Sequence, residues 1–145
     1  IYRGFFIDID IIPYFTSNKI MYFFLVVMCE FFNGDRGLKF GITHPILEQL
    51  KKLNSWFERQ TYYEFYGSSI LIAYDAARLA EGAIPSTEPI SIIRMIDFTQ
   101  TVLSPNGTKD DNYLYGLEKL VALIQELDSE NFKCSGIKVF LGKEI

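Results

Sequence analysis

An α+β fold is what this 145-residue sequence predicts, and three observations predict it. Two long stretches, residues 43–60 and 112–127, repeat apolar residues at helical spacing. Three short runs, residues 62–66, 70–74 and 91–98, are dense in aromatic and β-branched side chains, as strands are. No internal repeat or low-complexity segment divides the chain, whose 16.8 kDa suits one domain and is too small for two. The 49% hydrophobic and 16% aromatic content excludes a disordered or collagen-like chain. A formal net charge of −4 gives no global basic field, so no nucleic-acid partner is expected. Cys29 and Cys134 make no disulfide framework and fit a reduced, intracellular setting, cytoplasmic or nuclear. The single histidine, His44, excludes a multi-histidine zinc site. The chain starts at Ile1 rather than Met, so further sequence upstream is expected.

Residues 1–12, rich in Ile and Phe with Asp8 and Asp10 alternating, read as an extended segment ended by Pro13. The strongest apolar run, IMYFFLVVMC at residues 20–29, is far shorter than the roughly 20 residues of a membrane span. A secretory apolar region has such a length, but Asp8 and Asp10 spoil the basic flank and no small-residue cleavage site follows. A buried helix is therefore expected, capped near Thr16 and Ser17 and stopped at Asn33-Gly34 before a loop at residues 34–37. The second helix, residues 43–60, has Thr43 as its cap and Pro45 in its first turn. Ile46, Leu47, Leu50, Leu53 and Phe57 form its apolar stripe, with Glu48, Gln49, Lys51, Lys52 and Arg59 mostly on the other face. Gly67-Ser68-Ser69 separates the first two strand runs, and residues 76–89 form a loop or short helical excursion broken by Gly82, Pro85 and Pro89. SIIRMIDF, residues 91–98, is the clearest strand, and a polar loop follows from Thr99 to Asp110-Asp111. In the last helix Tyr113, Leu117, Leu120, Val121, Ile124 and Leu127 make the buried stripe, while Asp110 and Asp111 suit its positive N-terminal end. Residues 132–145 are ambiguous.

Asp97 is the residue with most to explain. Strand alternation over residues 91–98 places it on the largely apolar face with Ser91, Ile93 and Met95. A carboxylate there meets a desolvation cost unless it is hydrogen-bonded, paired or bound to a metal. Carboxylates at strand ends hold Mg²⁺ against nucleotide phosphates in phosphoryl-transfer enzymes; the plainer alternative is an Asp accepting N–H bonds in the next turn. Asp75 also ends a strand run, but antiparallel pairing of 70–74 with 91–98 would leave it roughly 20 Å from Asp97, at about 3.3 Å per residue. The same pairing brings Ser68 and Ser69 beside Asp97, either as a plain turn or as hydroxyls supporting a metal or nucleotide oxygen. His44 reads as a capping or surface residue, Cys29 as core, and Lys51, Lys52 and Arg59 as a solvated face. Gly34-Asp35-Arg36-Gly37 lacks the spacing of a phosphate loop, and no Ser-His-Asp set is available.

Three stretches in order, residues 57–75 (FERQTYYEFYGSSILIAYD), 93–101 (IRMIDFTQT) and 110–121 (DDNYLYGLEKLV), resemble the C-terminal half of the inositol polyphosphate kinase family. That family, which includes the multikinases and the inositol hexakisphosphate kinases, carries a Ser-Ser-Leu-Leu strand, an Ile-Asp-Phe strand and an Asp-x-Gly-Tyr-x-x-Gly-Leu-x-x-Leu helix start. The resemblance extends over residues 16–127, and Phe65-Tyr66-Gly67-Ser68-Ser69 leans toward the hexakisphosphate kinases. It implies the C-terminal lobe of a kinase-like α+β fold, residues 1–145 as one domain, with antiparallel strands packed against helices. It also implies transfer of the ATP γ-phosphoryl to a soluble inositol phosphate, inositol hexakisphosphate or a lower inositol polyphosphate. Mg²⁺ and ATP are the implied cofactors. By the same resemblance Asp97 matches the Mg²⁺ ligand, Ser68 and Ser69 match the pair beside the cofactor, and Gln100 stands where the family usually has a substrate-contacting His.

The departures shape the expectation. Gln100 can donate a hydrogen bond but cannot become cationic, which weakens or redirects phosphate recognition. Asn112 replaces the Gly of Asp-x-Gly-Tyr, a mild change because Asn tolerates left-handed backbone. The Pro-x-x-x-Asp-x-Lys-x-Gly motif, with the family's catalytic Asp, finds no match, nor does the N-terminal ATP lobe, so no catalytic residue is assigned. Half a phosphoryl-transfer site does little, so this chain alone is expected to be inactive or nearly so. The alternative function is a non-catalytic interaction module derived from the kinase lobe. Expected partners are the inositol phosphate and either an N-terminal kinase lobe or a second copy, with no membrane span.

Overall fold

The computed structural model describes residues 2–9, 18–33, 40–81 and 89–129. The expected caps at Thr16, Ser17 and Gly34, the breaks at Gly82 and Pro85, Cys134 and the tail from residue 130 lie outside the described residues. Among the described residues five strands and four α-helices follow in the order β1 (Tyr2–Asp8), α1 (Asn18–Asn33), α2 (Thr43–Phe57), β2 (Tyr63–Tyr66), β3 (Ser69–Asp75), α3 (Ala76–Glu81), β4 (Ser91–Ile96), β5 (Gln100–Leu103) and α4 (Asp111–Asp128). A 3₁₀ turn, Phe40–Ile42, leads into α2. The strands form two antiparallel sheets, one of order β1-β3-β4 and a ribbon of β2 with β5.

One face of the larger sheet is the core. Ile7, Ile70, Ile72, Tyr74 and Ile93 are buried there, and the apolar stripes of α1, α2 and α4 supply the rest. In α2 the expected stripe is buried at Ile46, Leu47, Leu50 and Phe57. In α4 Tyr113, Leu117, Leu120, Ile124 and Leu127 are buried as expected, joined by Gly116 and Leu123. Each aliphatic side chain fully withdrawn from water contributes about 1.5–3 kcal/mol. The apolar run of α1 buries Phe24, Leu25, Val26, Met28, Cys29 and Phe32, and among the described residues no helix is long and apolar enough to cross a membrane. The Tyr74 hydroxyl donates to the Phe31 carbonyl at 2.6 Å and ties β3 to that helix.

Four local features depart from the sequence expectation. Thr43 is the first residue of α2 rather than its cap; buried, it donates its hydroxyl to Asp128 at the far end of α4. Gln49 is not a solvated residue. Its amide donates to Ser91 O at 3.2 Å and accepts from Ile93 N–H at 3.1 Å, covering the free edge of β4 as a neighbouring strand would. The segment after Thr99 is strand β5 rather than loop. Its residues are mostly exposed, so it lacks the alternation by which a half-buried strand is recognised. Finally, β4 ends at Ile96, one residue short of Asp97.

Candidate functional site

The site lies where two connections pass side by side from one sheet to the other. Residues 67–68 link β2 to β3, and residues 97–99 link β4 to β5. The ladders fix both ends of this gap, at Tyr66↔Gln100 in the ribbon and Ser69↔Ile96 in the larger sheet. Gly67 and Ser68 on one chain therefore face Asp97, Phe98 and Thr99 on the other, a two-against-three mismatch of the kind a β-bulge absorbs. The extra residue is accommodated at Asp97, whose φ is 61°, the one non-glycine with positive φ among the described residues. Gly67, across the gap, takes φ 68° without a Cβ to clash.

This bulge changes the physical account of Asp97. Ser91, Ile93 and Met95 do face the core, but Asp97 leaves the strand before alternation could bury it and stands exposed. Backbone strain, not desolvation, is its cost; a left-handed non-glycine residue costs of order 1 kcal/mol, less for Asp than for most. Its carbonyl accepts a 2.7 Å bond from the Ser68 hydroxyl, which is fully buried. Its Oδ1 accepts from the Thr99 hydroxyl at 2.7 Å and from the Thr99 amide at 3.4 Å, so the turn-capping role weighed for Asp97 is also present.

The sequence-derived juxtaposition of Ser68, Ser69 and Asp97 is thus reproduced, and Asp75 is at the opposite end of β3, its N–H donating to Ile90 O. Gln100 opens β5, one pair beyond the bulge, and is exposed. Ser69 and Ile96 are cross-strand partners on the half-buried outer face of the sheet. The same row continues into β1, where Asp8 pairs with Ser69. Sequence gives no sign of this placement of Asp8, because an isolated extended segment does not reveal its neighbour; the ladder puts its Cα about 10 Å from that of Ile96, two strand spacings. Among the described residues no three His, Cys, Asp or Glu side chains converge. One or two carboxylates with hydroxyl oxygens is instead the donor set of Mg²⁺ sites completed by nucleotide phosphates.

Asp110 holds this end of the fold together. Only 6% exposed, it caps α4 by accepting from Tyr113 N–H at 2.9 Å, and its other oxygen accepts from Phe65 N–H in β2 at 2.7 Å. The Phe65 ring lies 5.5 Å from Phe57 and 5.9 Å from Tyr113, whose own ring stacks on Phe57 at 4.4 Å. At Gly116 a Cβ would come within 2.6 Å of the Ile9 carbonyl oxygen, so the chain leaving β1 crosses α4 where only glycine gives room. Two parts of the helix-start motif, Asp110 and the Gly of Gly-Leu, are therefore architectural.

A family description, inositol polyphosphate kinase, matches residues 16–125. The chain belongs to the inositol polyphosphate kinase family. Among its relatives, inositol polyphosphate multikinase alpha of Arabidopsis thaliana is 38% identical over 88 residues, which cover 61% of this chain and 30% of that protein. Inositol hexakisphosphate kinase 3 of Homo sapiens is 29% identical over 127 residues, covering 72% of this chain and 31% of that one. Identity is thus higher to the multikinase, over a shorter stretch, despite the hexakisphosphate-kinase wording around Ser68. A solved inositol phosphate multikinase superposes with a TM-score of 0.59 at 26% identity, covering 77% of this chain and 49% of its own. The multikinase Ipk2 of S. cerevisiae, solved with ADP and Mn²⁺, has the same fold, with a TM-score of 0.61 at 17% identity over 79% of this chain and 48% of its own. The expected α+β kinase-like lobe is the fold observed. The chain spans about a third of the length of the curated relatives and about half of the solved ones.

Proposed function

We propose that this chain is the lobe of an inositol phosphate kinase that holds the metal–nucleotide complex, in an enzyme that transfers the ATP γ-phosphoryl to a soluble inositol polyphosphate. The observation that carries the reading is the bulge at Asp97, which spends backbone strain to hold a carboxylate outward at the end of a sheet, next to the strand end that carries Ser69 and, one strand further, Asp8. Proteins keep such strain where a side chain must be aimed. The donors are all oxygens, as Mg²⁺ prefers. Bound there, Mg²⁺ would neutralise charge on the nucleotide phosphates.

The residues then divide the work. Asp97 supplies the anchoring carboxylate. Ser69 presents a hydroxyl to the metal or to a nucleotide oxygen. Asp8, in the same row of the sheet, is the carboxylate assigned in this proposal to accept the proton of the attacking inositol hydroxyl, a reading supported by its pairing with Ser69. Gln100 offers amide hydrogen-bond donors, but no positive charge, to a substrate phosphate. Because the chain covers 49% of the solved multikinase, its own turnover is expected to be close to zero.

The test replaces the matching segment of the Arabidopsis multikinase with residues 16–125 and follows label from γ-labelled ATP into inositol phosphates. Transfer by the chimera that Asp97→Asn reduces at least a hundredfold supports the reading; a folded chimera indifferent to Asp97→Asn removes it. A second reading, a non-catalytic interaction module, is favoured by one observation. Tyr62, Tyr63, Tyr66, Phe98 and Leu103 are 45–74% exposed around the β2–β5 ribbon. Calorimetric silence toward both inositol hexakisphosphate and Mg·ATP, together with self-association, would favour the module.

A further inference from the structure

The two serines of the Ser-Ser pair face different tasks, although the sequence sets them side by side. Ser69 is the first residue of β3, half-buried on the outer face in the row of Asp8 and Ile96. Ser68 lies before the strand, has no exposed surface, and commits its hydroxyl hydrogen to the Asp97 carbonyl at 2.7 Å. We infer that Ser68 is a positioning residue and not a ligand: its buried hydroxyl locks the bulge that turns the Asp97 carboxylate outward. The inference rests on the reading of Asp97 as a cation anchor given above.

The physical case comes from what the ladder lacks at this row. One residue earlier, Ser69 and Ile96 are ordinary antiparallel partners. At the next row Asp97 has rotated to φ 61°, and the regular ladder stops. The Ser68 hydroxyl has no exposed surface and must find its acceptor inside the fold, and the Asp97 carbonyl is that acceptor. The bond therefore stabilises the bulged conformation over the flat continuation of β4, in which Asp97 would rejoin the core-facing row. Thr99 acts on the other end of the same residue, its hydroxyl bonding Oδ1 and thereby orienting the plane of the carboxylate. Ser68 thus sets the backbone of Asp97 and Thr99 its side chain. Groups that orient a metal ligand without touching the metal commonly change metal affinity by 10–100-fold.

The test uses the full 145-residue chain, isotopically labelled, with Mn²⁺ as the probe. In the wild type, paramagnetic broadening is expected to centre on the amides of residues 97–99. Ser68→Ala should weaken Mn²⁺ affinity by roughly tenfold. Before any metal is added, it should also change the Asp97 HN–Hα coupling, which reports φ; removal of a mere ligand would leave that coupling as it was. Ser68→Cys keeps the volume with a weak donor and should fall between the two, and it serves in place of the alanine variant if that fails to fold. Tyr74→Phe removes a buried hydroxyl bond elsewhere in the same sheet and should leave both readouts unchanged. If Ser68→Ala keeps the wild-type coupling and affinity while Asp97→Asn loses Mn²⁺, the positioning role is wrong and the anchor reading stands. If the wild type shows no broadening at residues 97–99, both are overturned together.

Discussion

Asp97 and Asp110 are two aspartates at the ends of neighbouring segments, and the fold treats them in opposite ways. Asp110 is 6% exposed and accepts two backbone N–H bonds, one from α4 and one from β2. Asp97 is exposed, sits at a positive φ, and its carboxylate bonds locally to Thr99. The first is a joint that the fold needs; the second is a strained residue from which the fold gains little. A motif aspartate is informative about function only when its geometry cannot be explained by stability, and that contrast singles out Asp97.

The contrast can be broken by substitution, beginning with the largest expected effect. Asp110→Ala removes a helix cap and strands a buried N–H of β2. It should cost about 3 kcal/mol, read as a lower urea midpoint at unchanged slope. If the loss is under about 1 kcal/mol, Asp110 is not the joint described. Gly116→Ala forces a methyl against the Ile9 carbonyl and should cost about 2 kcal/mol in the same measurement. Gln49→Ala uncovers the edge of β4 and should cost about 1 kcal/mol, with faster amide exchange at Ile93 as its local signature. Asp97→Asn, which keeps the turn and tolerates left-handed backbone, should shift stability by less than about 0.5 kcal/mol. That variant sharpens the comparison, because its only large effect should be on divalent-cation binding.

Much of this arrangement is legible in the sequence, and the reasons differ by element. The helices α2 and α4 announce themselves because their stripes are long and one-sided. The antiparallel register of β3 with β4 follows from two apolar runs and a short excursion between them, and it brings Ser68 and Ser69 to Asp97 as expected. The bulge is invisible beforehand because it depends on β5, a mostly exposed strand paired with β2 from more than thirty residues away in sequence. Without β5 no mismatch exists, and alternation wrongly carries Asp97 onto the buried face. Asp8 is hidden for a related reason: its meaning comes from the partner of β1, not from its own neighbours. Gln49 looks like a solvated helix residue until the edge of β4 is laid against it.

The most direct measurement compares thermal unfolding of the wild type and Asp97→Gly, each with and without Mn²⁺·ADP. Glycine relieves the left-handed backbone and deletes the carboxylate, so its effects on fold and ligand separate. Stabilisation by a ligand grows with its concentration over Kd, so a raised midpoint reports binding. Asp97→Gly is predicted to unfold at the same or a higher temperature than the wild type without ligand, and to lose the upward shift that Mn²⁺·ADP gives the wild type. A variant that melts clearly lower, yet still gains the full shift, would mean that Asp97 serves the fold and not the cation.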